Sequence, residues 1–456
     1  MSLELNIKLT DNDGNLPPLQ KVGFLGRSQE LSQIERAFVQ EGVRRLTISG
    51  VGGQGKTYLA IYAGQCLYRQ GIFEKICFVD YSAFVGADAV GLAMRTLMEV
   101  LDKPDEKAVH DTLHDIPTLL ILDNVERISA AQLQELLDTA KSLSEIGECR
   151  VLLTSQTDHF EHPAYIKSSI YQSLSLSGLG EEEALTYCLH WLALSPTTQI
   201  VSPQREELLT LFEQVAFNPL SIRMLAIALK RHSPTELGER LRVLLVQTTD
   251  NPLGATLDVY LESLEEDIHI NALLAWLAKL FGFKLAEKLK LDIPTLELLL
   301  CLGVFQGGAF EPEILAITKI QKKQWRLLRS ALENAGLIQA EFLQDFVAPY
   351  LKFHPTLAPI LWRRLPPLIQ NQILATYQWR YVELISYLFF EEGKNTLLIH
   401  ALVKRDLPNI LHTIYTAIEA KEKWAAKVAN YVDLFINTFG LKRESAAINQ
   451  LLEKND

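Results

Sequence analysis

The sequence predicts an α/β domain built on a parallel sheet, followed by a helical bundle, a winged-helix domain and an all-helical C-terminal region. Three observations predict it. Gly50-Val51-Gly52-Gly53-Gln54-Gly55-Lys56-Thr57 is a complete G-x-x-x-x-G-K-[ST] loop, so the first domain is expected to be a P-loop NTPase fold. Short apolar runs alternate with amphipathic helical patterns as far as about residue 175. From Glu181 onward strands nearly vanish and the helical period takes over.

In chain order, residues 1–20 are rich in turn formers (Asp11, Asn12, Asp13, Gly14, Asn15, Pro17, Pro18) and are expected to form a linker, as if something preceded them. Phe24-Leu25-Gly26-Arg27-Ser28 follows, with Ser28 as N-cap of a helix that aligns Leu31, Ile34 and Phe38. Residues 45–49 form a strand pattern before the Gly-rich loop, and 58–67 a helix pattern after it. Further strands are expected at 76–79, 118–122, 151–153 and 170–176, with a helix between carrying Leu133, Leu136, Leu137 and Ala140. The α/β domain therefore spans 21–175, and a helical domain 176–235. Residues 236–365 combine helices with two short strand patterns, 337–340 and 346–348, the order of a winged helix. Residues 366–456 are helical throughout. The apolar stretch 273–281 fits a core helix better than an interfacial membrane helix.

The chemistry concentrates on one site. Glycines let the loop curl until its N–H groups face inward, and the following helix adds its positive end, so the turn suits a polyphosphate. Lys56 is expected to reach the β- and γ-phosphates, with Gly52, Gly53, Gln54, Gly55 and Tyr58 completing the cradle. Thr57 and Asp123, the residue that ends the run Thr118-Leu119-Leu120-Ile121-Leu122, are expected to hold Mg²⁺. Glu126, just beyond, is placed to orient an attacking water.

Composition bounds the rest. A chain of 456 residues exceeds one core. A net charge of −11 argues against a dedicated nucleic-acid or anionic-membrane binder. Cys66, Cys77, Cys149, Cys188 and Cys301 are scattered without C-x-x-C pairing, the pattern of reduced thiols. With no signal-peptide pattern and no uncharged run of 18 residues, a cytoplasmic protein is expected.

Four further segments resemble the signal-transduction ATPases with numerous domains (STAND), relatives of the NB-ARC and NACHT switches. Gly26-Arg27 with Glu30-Leu31 resembles the segment that wraps the adenine. Thr154-Ser155-Gln156 resembles the end of the sensor strand. Phe217-Asn218-Pro219-Leu220 resembles the segment whose proline packs on adenine, and Phe353-His354-Pro355 the one whose histidine meets the ADP β-phosphate. Together they cover residues 20 to 365 in family order. Asp406-Leu407-Pro408-Asn409-Ile410 looks like the start of a tetratricopeptide-type sensor, as in bacterial members. The resemblance implies a slow ATPase that is held off by ADP and switched on by ATP and an unknown sensor ligand. It also implies self-association on activation, and an effector domain outside this chain. Two departures matter: Gln156 stands where the family has Arg, and Asn124 where many members carry a second acid. Two alternatives are a ring-forming AAA+ motor and a transcriptional regulator that presents Lys322, Lys323, Arg326 and Arg329 of the winged helix to DNA.

Overall fold

The computed structural model describes residues 14–19, 26–193, 205–247, 252–264, 298–344 and 346–455. Phe24-Leu25, most of the expected linker and the apolar stretch 273–281 lie outside the described residues. The chain divides into two compact units, one of Met1–Ser177 with Leu384–Asp456 and the other of Gly178–Glu383.

The first unit holds a five-stranded parallel sheet of β1 (Arg45–Ser49), β2 (Lys75–Asp80), β3 (Thr118–Asp123), β4 (Arg150–Ser155) and β5 (Tyr171–Ser175). Its spatial order is β2-β3-β4-β1-β5, with every pairing parallel. Strands β1, β3 and β4 are buried at every position; β3 and β4 accordingly carry the apolar runs Leu119–Leu122 and Val151–Leu153, whereas β1 alternates Arg45, Thr47 and Ser49 with Leu46 and Ile48. Alternate residues still face opposite layers. Leu119, Ile121 and Leu152 join the core formed with helices α1 (Ser28–Val39) and α2 (Lys56–Arg69). Leu120, Leu122, Val151 and Leu153 join the core formed with α3 (Ala89–Leu101), α4 (Glu106–Asp115) and α5 (Ala130–Ser144). Because β4 lies between β1 and β3, its C-terminal end sits between the Gly-rich loop and Asp123.

Three sequence expectations change here. Ser28 is not the N-cap of α1: the helix starts at Ser28, and Arg27 caps it in the left-handed region (φ 65°) without a side-chain cap bond. Residues 14–19, expected in a linker, run beside β2. Gly14 bridges Ile76, the Asn15 side chain accepts the Phe78 N–H (2.6 Å) and donates to the Phe78 carbonyl (2.8 Å), and Leu16 and Leu19 pack on the core. The third concerns 366–456, expected as a region of its own. The helices Thr396–Glu419, Ala425–Thr438 and Lys442–Asn455 belong to the α/β unit. Polar contacts account for this: Lys404 with Glu99 (2.6 Å), Arg443 with Glu135 (2.7 Å), Arg95 with the Phe439 carbonyl (2.5 Å) and Glu444 with the Ala87 N–H (2.5 Å). Pro408 lies inside the helix Thr396–Glu419, not at the start of an element.

The second unit begins with helices α6 (Glu181–Ala193), α7 (Arg205–Glu213), α8 (Pro219–Ala228) and α9 (Pro234–Gln247), which share one apolar core. Next come the helices Glu311–Thr318 and Lys322–Asn334 and a three-stranded antiparallel sheet, β6 (Gly308–Phe310), β7 (Ile338–Glu341) and β8 (Tyr350–Phe353), in the order β6-β8-β7. Two helices followed by a hairpin make the winged-helix pattern. The strand expected at 346–348 falls in the hairpin connection, where Val347 is 96% exposed; the strand is β8, whose Tyr350, Leu351 and Phe353 are buried. Arg223 on α8 donates to the Asn334 (2.7 Å) and Glu333 (2.9 Å) carbonyls and lies 3.8 Å from the Trp191 ring centroid. It thus adds side-chain donors at the C-terminal end of the helix Lys322–Asn334, where the Glu333 carbonyl also accepts the Gly336 N–H (3.0 Å). Among the described residues, no helix is long and apolar enough to cross a membrane.

Candidate functional site

The Gly-rich loop joins β1 to α2 at the C-terminal edge of the sheet. Gly53 (φ 79°) and Gly55 (φ 88°) take left-handed backbone that β-carbon-bearing residues resist. A Cβ on Gly50 would lie 2.6 Å from the Leu176 carbonyl oxygen, so the turn leaves the sheet with no room for a side chain. Arg27, 6% exposed, braces the loop from outside. Its guanidinium donates to Glu30 (2.9 Å), to the Ser177 carbonyl (2.5 Å) and to the Gln54 carbonyl (3.4 Å). Gly26 precedes it with φ 76°.

Lys56 opens α2, and its Nζ donates to the carbonyls of Gly50 (2.6 Å) and Val51 (3.2 Å). Burial pushes its pKa below the usual lysine value, while the charges of Glu126 and Asp123 oppose that shift. Its neighbour Thr57 places Oγ1 2.8 and 2.9 Å from the two carboxylate oxygens of Asp123. Asp123 also accepts from Thr154 Oγ1 (2.5 Å), which in turn accepts the Asn124 N–H (2.9 Å). The Asn124 side-chain amide donates to the other Asp123 oxygen (2.5 Å). Thus Lys56 and Thr57 share one site with Asp123, which is 66 positions from Thr57 in sequence. Glu126 sits on the single turn Val125–Arg127, and its Oε2 is buried without a hydrogen-bond partner among the described residues. Gln54 Oε1 is buried in the same state, and Gly52 and Tyr58 are half-buried.

These donors are hard oxygens, a hydroxyl and a carboxylate within 3 Å of each other, which fits Mg²⁺. Among the described residues no group of three or more His, Cys, Asp or Glu side chains is arranged to hold a metal by itself. A cation at Thr57 and Asp123 would therefore complete its shell with water and phosphate oxygens.

Gln156 is exposed just past β4. The remaining expected contacts lie in the second unit. Pro219 is the first residue of α8, with Asn218 Oδ1 accepting the Leu220 (3.1 Å) and Ser221 (3.2 Å) N–H groups. His354 follows β8; its N–H donates to the Leu337 carbonyl (2.8 Å), and its Nδ1 lies 2.8 Å from Thr356 Oγ1. Sequence reasoning assigned no role to Thr154 or to Asp80. The signal was present, since Phe78-Val79-Asp80 ends an apolar strand just as Ile121-Leu122-Asp123 does.

No protein-family model matches the chain, and no curated protein matches it by sequence. Solved structures that it resembles include a signal-transduction ATPase with numerous domains carrying a tetratricopeptide repeat sensor, from Pyrococcus horikoshii. That match has 16% identity and a TM-score of 0.45, and covers 95% of this chain and 58% of that one. Domain III of the Thermotoga maritima replication initiation protein DnaA matches at 17% identity and TM-score 0.29, over 51% of this chain and 90% of its own. Drosophila ORC bound to DNA matches at 14% identity and TM-score 0.33, over 75% and 88%. Each score lies below 0.5, so the fold assignment rests on the chain's own strand order and loop. That fold, a parallel P-loop NTPase sheet with its phosphate loop formed, implies nucleotide binding.

Proposed function

We propose that the chain is a slow, nucleotide-controlled switch of the STAND type, off with ADP and on with ATP. The observation that carries nucleotide binding is the joining of Lys56, Thr57 and Asp123 beneath a loop of left-handed glycines. In this reading Lys56 exchanges its two loop carbonyls for phosphate oxygens. Thr57 and Asp123 hold Mg²⁺, which when bound neutralises phosphate charge. Gly26 and Arg27 set the loop against the base, and Pro219 and Leu220 pack on the adenine. His354 donates to the ADP β-phosphate, and Gln156 to the γ-phosphate. A ligand on the C-terminal helices releases the closed state and exposes surfaces for self-association. Mass spectrometry of nucleotide carried through purification tests the reading directly: bound ADP supports it, and nucleotide-free protein that takes up none on incubation overturns it.

Support for a switch over a motor comes from what surrounds Asp123. Asn124 cannot accept a proton, and Glu126 is the nearby carboxylate placed to orient water. Gln156 brings hydrogen bonds but no charge, and neutral bonds contribute about 0.5–1.5 kcal/mol against roughly 1.5–3 for charged ones. Steady-state turnover should therefore fall well below the ~1–10³ s⁻¹ typical of enzymes. Turnover near ~10 s⁻¹ without a partner would favour the motor. The DNA-binding alternative loses one cation, because Arg329 is paired with Glu311 and Glu333 at 2.9 Å each.

His354 gives a second test. One charge-assisted bond to phosphate contributes about 1.5–3 kcal/mol, or one to two powers of ten in the closed–open balance. His354→Ala should speed ADP release by about that factor in a stopped-flow exchange experiment while leaving the Lys56 site able to bind. Unchanged release would remove the winged helix from the switch.

A further inference from the structure

Asp80 and Asp123 are register partners, the last residues of adjacent parallel strands. Neighbouring strands lie about 4.8 Å apart, so two ionised carboxylates there repel unless a donor lies between them. Asn124 supplies that donor. Its Nδ2 is 2.5 Å from Asp123 Oδ2 and 3.4 Å from Asp80 Oδ1, while the Ser82 N–H donates to the same Asp80 oxygen at 2.8 Å. A side-chain amide offers two N–H donors without charge, which neither an acid nor a hydroxyl can do. The backbone at Asn124 is left-handed (φ 60°), a conformation that asparagine tolerates better than most residues. The residue is also buried, 8% exposed, so its amide is not simply a solvated surface group.

We propose that Asp80 supplies from β2 the carboxylate that position 124 lacks, and acts through Asn124 as a positioning residue. It fixes the Asp123 carboxylate toward a hydrated divalent cation on the bound nucleotide. An acid ends the neighbouring strand and an amide stands at 124, so Asp80 and Asp123 share one neutral donor and no further carboxylate is placed between them. Removing the Asp80 charge leaves the Asn124 amide held by a neutral acceptor in place of a carboxylate, and Asp123 less firmly aimed. Partners that orient metal ligands in this way typically change metal affinity by about 10–100-fold. The inference rests on the nucleotide-site reading above.

The test measures ADP binding to the full chain by calorimetry, in EDTA and across a Mg²⁺ series, with thermal melting of each variant. Asp80→Asn should bind ADP in EDTA as the wild type does, yet need about tenfold more Mg²⁺ for half of the metal-dependent gain. The swap Asp80→Asn with Asn124→Asp, which returns the acid to 124 and the amide to 80, should recover most of that loss. An unchanged Mg²⁺ requirement in Asp80→Asn overturns the proposal. So does an equal loss in EDTA and in Mg²⁺, since that marks a merely structural role. If Asp80→Asn melts too early to assay, the swap decides: a folded swap with wild-type Mg²⁺ dependence supports the proposal, and a folded swap without it overturns it. A wild type that binds no ADP under any condition overturns the nucleotide reading itself. A wild type that binds ADP indifferently to Mg²⁺ overturns this inference and leaves nucleotide binding intact.

Discussion

Lys56→Ala leaves the chain folded and strips it of retained nucleotide. The two effects separate because of where the lysine's partners lie. Its ammonium bonds the Gly50 and Val51 carbonyls, and Val51 is 61% exposed, so water can replace the lost donor at the rim of the loop. The melting temperature should therefore shift by only a few degrees, roughly the effect of 1 kcal/mol in a domain of this size. Binding has no such substitute. A cation reaching two phosphates makes two charge-assisted bonds of about 1.5–3 kcal/mol each, so affinity should fall by two or more powers of ten. Calorimetric ADP titration beside a melting curve checks both halves. A folded mutant with wild-type affinity removes the loop from nucleotide binding.

Thr154→Val should be the most destabilising conservative change at the site. Thr154 is fully buried and its hydroxyl has two tasks, donating to Asp123 at 2.5 Å and accepting the Asn124 N–H at 2.9 Å. Valine keeps the shape and deletes both bonds, leaving the Asn124 N–H short of a partner in the interior and Asp123 Oδ1 with Thr57 Oγ1 but without Thr154. The unmet N–H costs about 1–3 kcal/mol and the lost bond to Asp123 about 1–2, so roughly 2–5 kcal/mol in all, against a typical total stability of about 5–15. At ~2–4 °C per kcal/mol the melting temperature should drop by about 5–15 °C, whereas Thr154→Ser should lose little. Saturating ADP with Mg²⁺ should restore part of the loss, because a ligand that binds the native state stabilises it. A Thr154→Val protein that melts with the wild type would show that Asp123 does not depend on this hydroxyl.

The local code of the first unit was legible because its signals are short-range. A Gly-rich loop between a strand and a helix needs no distant partner to be recognised, and Asp123 follows the apolar run that carries it. Strand existence was equally local: β3 and β4 are buried on both faces and so contain continuous apolar runs. The shift of the wing strand from 346–348 to Tyr350–Phe353 shows where this fails, since a short apolar triplet looks the same at an exposed turn as in a strand. The placement of residues 14–19 beside β2 was missed for a related reason. Turn formers such as Gly14 and Asn15 also serve a segment that runs beside a strand, with Asn15 bonding both the N–H and the carbonyl of Phe78.

By itself the sequence determined the phosphate loop, its lysine and hydroxyl, the acid at the end of β3, and the change from an α/β domain to helices after residue 175. It could not determine strand order, and strand order builds the rest of the site. Placing β4 between β1 and β3 brings Thr154 to Asp123, and pairing β2 with β3 in register sets Asp80 beside the same carboxylate. These residues are 31 and 43 positions from Asp123 in the chain, and hydrogen bonding across a sheet depends on which strands are neighbours, not on how far apart they are in sequence. For the same reason the C-terminal helices read as a separate region. Their attachment to α3 and α5 through Lys404, Arg443 and Arg95 rests on single charges whose partners only the folded chain reveals.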